Sequence, residues 1–175
     1  SFPSVDLWLA ARQAHQGAPG FAIGASDVPA ILGRSSFRGP WDVWTDHHGP
    51  AHDDPADEND VRTRGHLIEP VLVEHYRAVT GREIDASLLV VSDPLHPWRR
   101  VSTDAIVQGE RVVECKTFSF QARGEWSNRD VLEPVPVRDA VVQGLVPEGY
   151  SLQCICQAAV ADVPVVDLVA AQCSV

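Results

Sequence analysis

The chain is predicted to fold as an α/β domain in which a mixed central β-sheet is covered by helices. Three observations point there. Four helical patterns recur between residues 6 and 80, a hairpin of β-branched residues occupies 99 to 117, and one more helix and strand follow from residue 150. Helices, then three strands, then a helix and a strand make a layered arrangement in which a sheet buries its faces under helices.

Each element has its own signal. Asp6 to Gln16, with Leu7, Ala10, Ala11 and Ala14 on one side, reads as a first helix broken by Gly17-Ala18-Pro19-Gly20. Ser26 reads as the N-cap of a second helix that stops at Gly33. Pro40 to His48 is a third helix with Gly49 beyond its end. The acidic run from Asp53 to Asp60 reads as a solvated loop. A longer helix then spans Asp60 to Thr80, with an apolar stripe of Leu67, Leu72, Tyr76 and Val79, and ends at Gly81. Glu83 to Val91 is the first strand, and Arg99 to Val107 with Glu110 to Thr117 are the second and third. Residues 121 to 149 read as a short helix and a long proline-containing loop. Tyr150 to Ala161 is a helix, and Val163 to Ala170 a buried strand.

At 175 residues the chain is long enough for one core that buries roughly 70% of the unfolded surface. A single domain over residues 1–175 is expected, with no internal repeat. No apolar run reaches membrane-spanning length and no signal peptide opens the chain, so a cytoplasmic location is the default expectation. The formal net charge of -10 argues against a general DNA-coating protein, because neutralising phosphates needs basic surface. It leaves room for an enzyme whose arginines gather in one groove.

The chemistry centres on one residue. Lys116 is the only lysine among 14 basic residues, and it stands two positions after Glu114. Lysine offers a compact ammonium that arginine cannot imitate. A three-residue loop centred on Gly109 places Asp104 opposite Glu114, and strand alternation puts Glu114 and Lys116 on one face, joined by Asp104 if the register holds. Facing carboxylates repel unless a hard cation lies between them, and Mg²⁺ accepts one or two carboxylates, several waters and a phosphate oxygen. An ordinary ion pair between Glu114 and Lys116 on an exposed strand is the other reading.

Five motifs in order carry a more specific resemblance: Ile23 to Gly33 with Ser26-Asp27-Val28, Trp41-Asp42-Val43-Trp44, Arg64-Gly65-His66-Leu67-Ile68-Glu69-Pro70, Thr103-Asp104 with Glu114-Cys115-Lys116, and Tyr150-Ser151-Leu152-Gln153. Over residues 8 to 170 the chain resembles the YqaJ-type viral recombinase family, grouped with lambda exonuclease in the PD-(D/E)XK nucleases. The resemblance implies a restriction-endonuclease-like core and a Mg²⁺- or Mn²⁺-dependent exonuclease that degrades one strand of linear duplex DNA, 5′ to 3′, in phage-type recombination. It implies Asp104, Glu114, the Cys115 carbonyl and Glu69 as metal ligands, with Glu69 acting directly or through water. Lys116 is then the water-orienting or charge-stabilising residue, and Gln153 positions the lysine or the scissile phosphate. It further implies double-stranded DNA ends as substrate, a single-strand annealing protein as partner, a homotrimer and a bacterial or phage-infected host cell.

Ser26 and Ser102 match serines that contact the terminal phosphate in relatives. The arginine that lambda exonuclease places before the capping serine is missing, since Pro19, Gly20 and Phe21 occupy that stretch; Arg12 is the nearest upstream substitute. Arg123 falls near a second basic position of the relatives, and Arg34 and Arg38 are further candidates to face DNA. Cys115, Cys154, Cys156 and Cys173 do not have the order of the cluster-binding relatives and read as reduced thiols. His47, His48 and His52 lack the spacing of a structural zinc site. Against the exonuclease stand an endonuclease of the same superfamily, for restriction or repair, and a catalytically silent DNA-binding module. A lambda-type nuclease continues past the last strand, so the C-terminus is expected to be truncated.

Overall fold

In the computed structural model, the described residues are 22–48, 56–87, 89–126 and 143–173, with positions 136, 139 and 141. The first predicted helix lies outside them. Strand β1 (Ile23–Gly24) enters a 3-10 turn, Ala25–Asp27, and a one-turn helix α1 (Val28–Ile31). The chain leaves α1 at Gly33, whose φ of 65° is a left-handed exit that glycine adopts without a Cβ penalty. Helix α2 spans Pro40–His48 as expected. Helix α3 runs over Ala56–Thr80, one turn longer than its periodicity suggested. The end of the acidic run is therefore helical rather than loop.

Pro70 neither ends nor caps α3, although it removes one backbone donor from the helix interior. The buried face of α3 is Leu72, Val73 and Tyr76, flanked by Ile68. Leu67 and Val79 are 72% and 54% exposed, which corrects the predicted stripe. Leu67 is five residues from Leu72, about 140° around a helix of 3.6 residues per turn.

The first predicted strand is reduced to β2 (Leu89–Ser92), preceded by a single antiparallel bridge from Asp85 to Ile106. The second breaks at Asp104 into β3 (Arg99–Thr103) and β4 (Ala105–Val107), while the third is β5 (Arg111–Ser119). Two three-stranded sheets result instead of one. In the first, β3 lies between parallel β1 and antiparallel β2; in the second, β5 lies between antiparallel β4 and parallel β6 (Val165–Cys173). Val107 pairs with Arg111 around Gly109 at φ 74°, which is the three-residue loop and register expected. Phe120–Glu125 is a 3-10 helix, and most of the segment after it lies outside the described residues.

Helix α4 (Glu148–Ala161) ends at Asp162, left-handed at φ 53°, with the Val163 N–H donating to the Ala158 carbonyl at 3.1 Å. β6 starts two residues later than predicted and is half-buried rather than buried.

Helices cover the sheets from two sides. α3 packs Leu72, Val73 and Tyr76 on Ala105, Val107, Val113 and Cys115, whereas α4 brings Val160 and Cys156 to Ala25, Val91 and Val101. A part-buried tie links α3 to the second sheet: the Tyr76 hydroxyl donates to Asp167 at 2.6 Å, and Arg111 donates to both oxygens of the same carboxylate at 2.9 and 3.2 Å. Glu114, between two residues that face α3, therefore turns toward α4. No described helix is long and apolar enough to cross a membrane.

Candidate active site

The break at Asp104 has a local cause. Its Oδ2 accepts the backbone N–H of Cys115 at 2.6 Å, so the side chain takes a backbone donor of the neighbouring strand and the chain bends there. The β4–β5 register extended by one residue still sets Asp104 against Glu114. Their carboxylates, however, have different surroundings.

Asp104 opens on a cavity of about 260 Å³ whose wall also includes Glu69, His66, Cys115, Lys116 and Thr117. Glu69 reaches it from the middle of α3, with His66 Nδ1 3.5 Å from its Oε2. Glu114 lies behind this wall and is 3% exposed. Its Oε1 accepts from Gln153 Nε2 at 2.5 Å and pairs with the Lys116 ammonium, and its Oε2 accepts from Gln157 Nε2 at 2.5 Å. A buried carboxylate needs such partners, because an unpaired one would be neutralised or excluded.

The charges explain the proton affinities. Burial, then the negative charges of Glu114 and Glu69, push the Asp104 carboxyl up to about 8, against the Cys115 N–H and Lys116, which pull it down. Burial alone would lower the Lys116 pKa; the adjacent Glu114, its hydrogen bond and Asp104 outweigh burial and raise it. Burial, followed by the same carboxylates, raises the Cys115 thiol.

The structure thus gathers Glu69, Asp104, Glu114, Cys115, Lys116 and Gln153 into one region. Glu69 is neither a cap nor at a helix end. Ser26 does not cap a helix: it is exposed within the 3-10 turn, whose entry is closed by Asp27 accepting the Gly24 N–H at 2.9 Å. With α1 only four residues long, a phosphate contact at Ser26 would rest on its exposed hydroxyl and not on a helix N-terminus. Ser102 lies in β3, half-buried, and its carbonyl accepts from Gln157 Nε2 at 3.1 Å. Arg12 and the side chain of Arg123 lie outside the described residues, as does His52. Arg38 pairs with Asp27 and Asp46, Arg34 with Glu148, and His47 with Asp27. Cys115 is buried against α3, and Cys154, Cys156 and Cys173 are half-buried free thiols.

Gln157 was missed by the sequence reading. It is fully buried, and its one amide nitrogen bridges Glu114 and Ser102. The available signal was its spacing of four from Gln153, which puts two amides on one face of a helix. Gln157→Leu should cost roughly 1–3 kcal/mol, because both acceptors lose a donor in a buried site. Denaturant unfolding measures this; an unchanged midpoint would mean the bridge contributes nothing.

Among the described residues, no group of three His, Cys, Asp or Glu side chains is arranged to wrap an ion. The donor set still fits a divalent cation that keeps most of its water. Hard carboxylate oxygens of Asp104 and Glu69 share one cavity, and after burial it is the charges of Glu114 and Glu69 that raise the proton affinity of Asp104.

Comparisons with known proteins agree with this architecture. The chain is 26% identical over 150 residues to the "Uncharacterized protein YqaJ" of Bacillus subtilis (strain 168), a match that covers 84% of this chain and 44% of that protein. The chain therefore spans less than half the length of that curated relative. It superposes on the crystal structure of an alkaline exonuclease (LHK-Exo) from Laribacter hongkongensis with a TM-score of 0.65 at 17% identity, covering 95% of this chain and 74% of that one. The complex of LHK-Exo with dAMP gives 0.61 at 17%, over 94% and 73%. These likenesses show the restriction-endonuclease-like fold. The profile of the YqaJ-like viral recombinase domain matches residues 7–164, and the chain belongs to that family.

Proposed function

We propose that the chain is a Mg²⁺- or Mn²⁺-dependent deoxyribonuclease that degrades one strand of linear duplex DNA from its end, 5′ to 3′, in recombination. The observation that carries the reading is the cavity where Asp104 and Glu69 face the chain's only lysine, with Glu114 pinned immediately behind it. The fold shared with alkaline exonucleases supports DNA as the substrate.

Asp104, Glu69 and the Cys115 carbonyl would hold the cation, and Glu114, whose oxygens are taken by Gln153, Gln157 and Lys116 behind the wall, would join them only by releasing one of these partners. When bound, the ion supplies Lewis-acid polarisation of the phosphodiester and lowers the proton affinity of water. The remaining work falls to the protein. Lys116, held in its charged form by Glu114 and Asp104, neutralises the charge that builds on the phosphoryl oxygens. In the metal-free protein that environment keeps the lysine protonated, the state an electrostatic role needs, whereas a lysine base needs a lowered pKa. Gln153 and Gln157 hold Glu114 from α4, so the lysine's partner does not follow the substrate.

End-directed action is tested by substrate choice. If Ser26 and Ser102 contact a terminal phosphate, a duplex with 5′-phosphate ends should be cut faster than its 5′-hydroxyl twin, because the hydroxyl forfeits charge-assisted hydrogen bonds. Ser26→Ala should erase much of that preference. Initial rates on matched linear duplexes, with a covalently closed circle as control, decide it. Equal rates on both ends together with cutting of the circle would favour the endonuclease and remove the exonuclease.

A further inference from the structure

One group beside the cavity has no part in the chemistry so far. Lys116 Nζ lies 5.5 Å from the centroid of the Tyr150 ring, over its face. Tyr150 is in the first turn of α4, where its N–H donates to the Pro147 carbonyl at 3.1 Å. Its ring is not isolated. Trp126 stands 5.2 Å from it at an interplanar angle of 32°, and Phe118 stacks on Trp126 at 4.9 Å and 12°. Phe118 is two residues after Lys116 on β5, so the row of rings starts at the ammonium and returns to the lysine's own strand.

The geometry points to Tyr150 as a positioning residue for Lys116, backed by Trp126 and Phe118 so that its π-face holds the ammonium toward the cavity. Glu114 alone does not fix that direction. Its carboxylate is buried behind the cavity wall and draws the ammonium inward, while the Lys116 side chain is 23% exposed and has four rotatable bonds. A ring face attracts a cation electrostatically without neutralising it and without competing for its hydrogen-bond donors. The ammonium thus keeps donors free for a phosphoryl oxygen. Trp126, at 9% exposed, stops the Tyr150 ring from turning away. This inference rests on the nuclease reading above, but its central contact can be read without cleavage.

Because Lys116 is the only lysine in the chain, lysine-selective isotope labelling gives the signals of this one side chain. In the wild type, the Lys116 ε-methylene protons should be shifted upfield by the Tyr150 ring current. Tyr150→Phe keeps the face and should keep both the shift and the wild-type kcat. Tyr150→Leu should lose the shift and lower kcat about tenfold, with KM for duplex DNA within about twofold. In a Lys116→Met background, where residual cleavage is the baseline, Tyr150→Leu should have no further effect. If the leucine variant melts below the assay temperature, Tyr150→Met replaces it. A shift that survives in Tyr150→Leu, equal losses in the Phe and Leu variants, or additive losses in the Lys116→Met background would overturn the assignment. A wild-type chain that leaves linear duplex intact with both metals, while showing the ring-current shift, would instead sink the nuclease reading and with it any catalytic role for the contact.

Discussion

Asp104→Asn should reduce cleavage by roughly a thousandfold or more while making the metal-free protein more stable at pH 8. The two effects have one origin. A cation held by fewer negative ligands supplies less of the several kcal/mol it contributes to the transition state. The same substitution removes one charge from a cluster in which burial, Glu114 and Glu69 already push the Asp104 carboxyl up to about 8.

The pH dependence follows from that direction. The folded state holds the Asp104 proton more tightly than the unfolded chain, whose carboxyl has the ordinary value of 3.8. Between these values the native state binds more protons, so stability is fully present below about 4 and is lost as pH rises toward 8. Thermal melting of the wild type in chelator should therefore fall over that window, and Asp104→Asn should flatten the fall. A wild-type melting temperature that rises across the window, or an asparagine variant less stable at pH 8, would contradict the clustered charge.

Lys116→Met should both cut cleavage to a low residual rate and destabilise the fold by about 3 kcal/mol. Glu114 is 3% exposed, and removing one partner of a buried ion pair leaves its charge uncompensated. The two amides from α4 remain, so the loss should stop short of unfolding. Lys116→Arg should not restore activity, since a planar guanidinium cannot occupy the space of a compact ammonium. Denaturant midpoints and initial rates on linear duplex check both parts; full stability in Lys116→Met would mean that the ion pair contributes little.

Much of the architecture was legible because punctuation residues mark it. Pro40 and Gly49 bracket α2, and Gly109 fixes the hairpin register that sets Asp104 against Glu114. The split of the sheet was not legible, because it depends on the Asp104 side chain capturing the Cys115 N–H, a contact that competes with the regular ladder. The buried face of α3 was partly misplaced, since the apolar residues at 67 and 79 satisfy a loose helical pattern without meeting the sheet. At the site, the residue types and their spacing across the hairpin pointed to Asp104, Glu114 and Lys116. What they could not convey is that Glu114 faces α4 rather than the cavity. That arrangement depends on Gln153 and Gln157, which lie in a helix about forty residues away in sequence and meet Glu114 only after α4 packs on the sheets.

The most direct test of the account is the initial rate of degradation of a 5′-phosphorylated linear duplex as Mg²⁺ is titrated into chelator-treated protein, wild type beside Asp104→Asn. The account predicts no cleavage before metal is added, a saturable rise for the wild type, and a rate for the asparagine variant that stays near the background. Cleavage by the wild type in chelator, or an Asp104→Asn curve that overlays the wild type, would contradict it.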